Sequence, residues 1–220
     1  MNERKKSGYL VLGYACNQRC RCCPLVHKEE RQAFTGREDL LREIDSMHSF
    51  GVTDITLSGG EPTVHPHFFD IIRYCFGKGI AVHILSNGEN FCKKDFSEKL
   101  TALARQGELS VTTTFHSENP EEHEYQNGSP GSFARSTEGL KLLDSNGVNV
   151  SVKHCITADN YRQLPSFVEF ALKTYSANAE IQLWGIDLCG IDTELARSMF
   201  VPFQEIGPFL TEAIDLFEKD

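Results

Sequence analysis

Along nearly the whole chain, apolar runs of strand length alternate with segments of helical period. No other feature constrains the fold as much. A strand followed by a helix returns the next strand to the same edge of a sheet, so repetition of the unit builds a parallel sheet covered by helices. Strands are expected at 8–15, 54–58, 81–86, 109–115, 149–156 and 180–186. Helices are expected at 38–50, 66–78, 94–106, 133–145, 161–175 and 203–219. Several helical stops carry a glycine where a left-handed cap is wanted: Phe50-Gly51, Lys78-Gly79, Gln106-Gly107 and Asn146-Gly147. With 220 residues, 40% of them hydrophobic, residues 1–220 are expected to form one α/β domain with a sizeable core.

In parallel β-α folds the loops after the strands converge on one edge, where chemistry collects. Three of these loops are polar or glycine-rich: Cys16 onward, Gly59-Gly60-Glu61-Pro62, and Asn87-Gly88. The longest connection, 116–132, holds Glu118, Glu121, Glu122 and Glu124. It reads either as a mobile flap over that edge or as an acidic surface loop.

Four of the eight cysteines, Cys16, Cys20, Cys22 and Cys23, fall within eight residues, while Cys75, Cys92, Cys155 and Cys189 are scattered. That is the pattern of a metal site plus single thiols, with Cys75 and Cys155 expected in the core. Cys16, Cys20 and Cys23 have C-x3-C-x2-C spacing, three thiolates without a fourth, whereas zinc and passive electron-transfer clusters usually claim four ligands. Cys22 offers an alternative to Cys23 as third ligand. A metal-binding or scaffold protein without catalysis is the rival class.

No stretch approaches the roughly 20 apolar residues of a membrane span, and the N-terminus lacks a cleavage signal. A cytoplasmic protein without a membrane partner is expected. A net charge of −9, from 31 acidic and 22 basic side chains, argues against general nucleic-acid binding. Arg19, Arg21, Lys28 and Arg31 form either a local basic rim for an anionic ligand or partner, or a solvated face.

Cys16-x3-Cys20-x2-Cys23 after a first strand and Gly59-Gly60-Glu61-Pro62 after a second resemble the radical S-adenosylmethionine (SAM) enzymes. The resemblance implies a partial (β/α)6 TIM-type barrel, a 4Fe-4S cluster on Cys16, Cys20 and Cys23, and SAM on the open iron. It also implies reductive cleavage of SAM to a 5′-deoxyadenosyl radical that abstracts substrate hydrogen, with an electron donor such as ferredoxin or flavodoxin. Pro24 after Cys23 favours Cys23 over Cys22, and a thiol at Cys22 departs from the aromatic residue usual before the last cluster cysteine. Gly59 and Gly60 would bring main chain against the methionine ammonium of SAM, with Glu61 adding a carboxylate of complementary sign.

Weaker points of likeness place Ser86 and Asn87 beside the cofactor, and Thr114 where relatives carry a ribose-binding serine. His116 and Ser117 stand where relatives have Asp and Gly. Of Lys153 and His154 on the fifth strand, only one can face the barrel interior, and Lys153 is taken as the cofactor-side residue. Trp184 reads as core, or as a flank for adenine. Glu121-Glu122-His123, Gly128, Gly131-Ser132-Phe133 and Gly139 resemble members that modify ribosomally made peptides. A peptide substrate is therefore expected, with a small metabolite as the alternative. Neither a leader-recognition domain nor a cysteine-rich auxiliary-cluster domain is expected.

Overall fold

In the computed structural model, residues 5–23, 33–186 and 192–217 are described. Lys28, Arg31, Pro24 and Cys189 lie outside them. Six strands, β1 (Ser7–Val11), β2 (Asp54–Ser58), β3 (Ala81–Ser86), β4 (Leu109–Phe115), β5 (Asn149–Ile156) and β6 (Glu180–Gly185), form one parallel sheet in sequential order. Among the described residues β1 and β6 are not paired with each other, so the barrel is open, as expected for the partial (β/α)6 form.

The helices are α1 (Arg37–Ser49), α2 (Phe68–Gly77), α3 (Lys94–Ala104), α4 (Pro120–Asn127), α5 (Ser132–Ser145), α6 (Leu164–Thr174), α7 (Thr193–Met199) and α8 (Phe203–Phe217). Strand alternation explains how they pack. Ile55 and Leu57, Val82 and Ile84, and Val150 and Val152 all point to the helical layer, where they are almost fully buried with Ile44, Ile71, Leu100 and Leu140. Burying each such side chain contributes about 1.5–3 kcal/mol, which fixes the register and so the height at which each strand ends.

Two departures bear on the site. The 116–132 segment is not a plain surface loop but contains α4: the Asn119 side chain accepts from the Glu121 and Glu122 amides, Pro120 occupies the first turn, and Gly128 closes it at φ 65°. Only His123 and Asn127 of α4 are buried, so its sequence lacks the apolar stripe that betrays a helix. Gly107 is not a left-handed cap either. A Cβ there would meet the Phe76 ring at 2.7 Å, so close packing explains this glycine.

Candidate functional site

The loop carrying the clustered cysteines is closed at its base. Leu12 donates to Ser58, Tyr14 donates to Ala33, and Thr35 returns a bond to Leu12, which pins both ends of the excursion to the top of β1. The loop after β2 zips onto the same segment, since Gly60 N–H donates to Gly13 at 2.9 Å and Glu61 N–H to Ala15 at 2.8 Å. A Cβ on Gly59 would stand 2.2 Å from the Gly13 carbonyl oxygen, and one on Gly60 2.3 Å from that of Ala15. Both glycines are thus required by backbone meeting backbone within the protein.

Glu61 has a structural duty. The residue is 3% exposed, and its side chain accepts from Thr63 N–H at 3.0 Å, the Thr63 hydroxyl, Ser86 Oγ at 2.8 Å and Asn87 N–H at 2.7 Å. Burial raises its pKa, opposed by those four donors. Three of the bonds fall on Oε1 and one on Oε2, so one acceptor position of Oε2 remains for a ligand. Ser86 serves this carboxylate while also accepting from Gly88 N–H. Asn87 ties the β3 loop to the cysteine loop, its Nδ2 donating to Asn17 Oδ1 at 2.8 Å.

Cys16, Cys20, Cys22 and Cys23 are all half-buried and line one cavity of about 340 Å³ at the C-terminal edge of the sheet. Gln18 N–H donates to Cys16 Sγ at 3.4 Å, and the Cys20 thiol meets Gln18 Oε1 at 3.5 Å. Burial first, then the neighbouring thiols, raises the Cys20 pKa. Burial, then Cys155, pushes Cys22 up to about 12.

All eight residues singled out beside the cysteines, Gly59, Gly60, Glu61, Ser86, Asn87, Thr114, His116 and Lys153, line this same cavity. Register accounts for much of that: Thr114 pairs with Lys153, and the alternation turns both inward. His154 faces the helices instead, fully buried with its ring centroid 4.2 Å from that of Phe167. Burial holds His116 neutral, with its pKa lowered to about 4.

Two sequence readings fail here. Cys155 is not a core thiol: it shares the inward parity of Lys153 and lines the cavity beside Cys22, a placement that strand alternation alone would have given. Trp184 is not core but 54% exposed, with Lys153 Nζ 4.0 Å from its ring centroid, because the inner face of an edge strand has no strand opposite it. Sequence reasoning also missed Tyr9, which lines the cavity and whose hydroxyl donates to Ser58 Oγ at 2.6 Å.

The donor set suits a thiolate-held cluster. Among the described residues, no three His, Cys, Asp or Glu side chains converge closely enough to hold a single metal ion. Four thiols at the lip of a cavity with an open carboxylate position and an ammonium fit a larger cluster beside a zwitterionic ligand.

The chain is similar to several known proteins. Subtilosin biosynthesis protein AlbA of Bacillus subtilis is 30% identical over 149 residues, covering 68% of this chain and 33% of AlbA. An AdoMet-dependent heme synthase of Methanosarcina barkeri is 31% identical over 128 residues, covering 58% and 36% respectively. The crystal structure of Streptococcus suis SuiB bound to S-adenosylmethionine superposes with a TM-score of 0.77 at 16% identity, covering 97% of this chain and 48% of SuiB. The chain thus spans between a third and a half of the length of these relatives. The Radical SAM superfamily model matches residues 10–171, most of the sheet and all of the cysteine loop, and the chain belongs to that superfamily, whose cofactors are a 4Fe-4S cluster and SAM.

Proposed function

We propose that this protein is a radical SAM enzyme in which Cys16, Cys20 and Cys23 hold the cluster and the cavity beneath them holds SAM, acting on a ribosomally made peptide. The carrying observation is that these three thiols open onto the same cavity as the β2 loop, Asn87, Thr114 and Lys153. Bound there, cluster and SAM supply the chemistry general to the family, reductive cleavage of SAM to a radical that abstracts hydrogen.

This chain's residues bind and orient. The free position on Glu61 Oε2 suits an ammonium, Lys153 Nζ suits a carboxylate, and Thr114 faces the interior at the height of Lys153. His116, 7% exposed and held neutral by burial, adds no charge to the cavity wall. Cys23 is taken as third ligand on the C-x3-C-x2-C spacing, with Cys22 and Cys155 as further thiols on the same cavity wall.

The open sheet supports a peptide substrate. Its inner face is polar below the cavity, with His83 between Ser110 and Thr112 and Ser151 on Glu180, while Tyr9 and Trp184 stand exposed on the edge strands. An extended chain can enter such a lateral slot and find hydroxyls, an imidazole, a carboxylate and aromatic faces. SuiB has been captured with its precursor peptide SuiA. The heme synthase relative keeps a small metabolite as the competing substrate class.

The test is anaerobic reconstitution followed by reductive SAM cleavage. Four irons per chain and formation of 5′-deoxyadenosine are expected, by the three-thiolate argument. Stoichiometric zinc with no SAM affinity overturns the enzyme reading. Cleavage that a panel of precursor peptides does not stimulate, but a small metabolite does, overturns the peptide reading.

A further inference from the structure

Beyond the thiols themselves, the cysteine loop is gripped by elements that follow β3 and β4. Arg19 N–H donates to the Asn127 carbonyl at 2.9 Å and Arg21 N–H to that of Gln126 at 2.8 Å, so the loop lies along the C-terminal end of α4. Within that grip sits a buried charge. Glu89, in the 3-10 turn after β3, has a side chain only 8% exposed and accepts four hydrogen bonds from three residues. Oε2 takes Arg135 Nε at 2.8 Å and Nη2 at 2.6 Å, while Oε1 takes Ser129 Oγ at 2.9 Å and Gln18 Nε2 at 2.8 Å.

Gln18 is 4% exposed and stands between this carboxylate and the Cys20 thiol. A carboxylate only accepts, so the amide must turn its NH2 to Glu89 and its carbonyl to the sulfur. Arg135, by contrast, lies on the far side of Glu89 with 39% of its side chain exposed and a further bond to the Pro130 carbonyl. The order from surface to thiol is guanidinium, carboxylate, amide, sulfur. Buried charge acts through a low effective dielectric, and cluster potentials respond to the net charge near them, an effect that does not need the Cys20 S–H, which is absent when Cys20 ligates iron.

We propose that Glu89 and Arg135, separated from Cys20 by the Gln18 side chain, set by their charges the reduction potential of the cluster held by Cys20. This rests on the cluster assignment above. The ion pair is balanced in the native protein, so removing either member leaves a net charge of one sign near the cluster. Reduction adds an electron. A surplus positive charge favours it and a surplus negative charge opposes it.

The two single variants therefore move the potential in opposite directions. The experiment is a redox titration of the anaerobically reconstituted protein without SAM, followed by electron paramagnetic resonance, with iron counted in each sample. Glu89→Gln, which leaves Arg135 uncompensated, is expected to raise the midpoint potential. Arg135→Gln, which leaves Glu89 uncompensated, is expected to lower it, and the double variant is expected to return toward the wild-type value. A merely structural role gives losses of iron in both variants and no opposed shifts. Shifts of the same sign, or unchanged potentials at wild-type iron content, overturn the proposal while leaving the cluster reading intact. If Glu89→Gln fails to fold, Arg135→Gln decides alone: a lowered potential supports the proposal, and an unchanged or raised one overturns it. Wild-type protein that takes up no iron overturns the cluster reading itself.

Discussion

The Glu61 carboxylate receives the Asn87 backbone N–H at 2.7 Å, joining the loop after β2 to the loop after β3 directly beneath the cysteine loop. A residue expected to serve a ligand turns out first to hold two loops in register.

Glu61→Gln should therefore cost fold stability as well as ligand affinity. A glutamine sets an NH2 group among donors, and a buried donor left unmatched costs about 1–3 kcal/mol. At roughly 2–4 °C per kcal/mol for a chain of this size, thermal unfolding of the protein without cofactors should occur several degrees lower. An unchanged melting temperature would show that the four bonds to this carboxylate do not support the loops.

Among the four clustered thiols, ligand and bystander separate by iron content. Cys16→Ala, Cys20→Ala and Cys23→Ala should each lose the cluster. Cys22→Ala should keep its iron, because the C-x3-C-x2-C spacing is completed by Cys23. Cys155→Ala should keep it as well. Iron retained by Cys23→Ala and lost from Cys22→Ala would exchange the two roles.

The cap of α4 matters to the cysteine loop although the two lie about a hundred residues apart in sequence. Asn119→Ala removes the acceptor of the Glu121 and Glu122 amides, a change worth about 1 kcal/mol. Since Asn127 and Gln126 of α4 accept from Arg19 and Arg21, the variant should also speed hydrogen exchange at those two amides. Faster exchange in α4 with unaltered exchange at 19 and 21 would show that the loop does not depend on the helix.

Elements with a strong apolar rhythm were legible in the sequence. The expected ranges 54–58, 81–86, 109–115 and 149–156 coincide with β2 to β5, because each is a short apolar run bounded by a cap or turn. β1 was overextended past Val11, where the chain stops pairing as a strand and instead closes the base of the cysteine loop with residues 33–35. α4 and α7 were missed, being short and with few buried residues, although Asn119-Pro120 and Gly128 mark the ends of α4 in plain residue chemistry. The cavity lining was legible wherever it follows from strand ends, as at Glu61, Asn87 and Thr114. Gln18, Glu89 and Arg135 were not, since nothing local links residues separated by 71 and 46 positions. Cys155 and Trp184 were misread because an apolar or aromatic residue on a strand says nothing of which face is open.

Three buried histidines give the fold an acid limit. His116, His123 and His154 lie between β4, β5 and α4, at 7%, 1% and 0% exposure. Burial lowers their pKa values to about 4, 3 and 3 from the ordinary 6.5, with His116 adding to the effect on the other two. The His123 ring is fixed by accepting the His116 N–H on Nδ1, and His154 Nδ1 is held by the Phe115 carbonyl oxygen. Below pH 6.5 the unfolded chain binds protons that the folded chain refuses, so stability must fall with pH. The contribution is complete above pH 6.5 and is lost as pH drops from there toward 4 and then 3. By pH 5 each histidine withdraws about 2 kcal/mol, from 1.36 kcal/mol for each pH unit below 6.5. Urea unfolding across this range should show a midpoint that declines on acidification, and His154→Leu should flatten the decline by one proton. A midpoint independent of pH between 6.5 and 5 would mean that these rings are protonated where they sit.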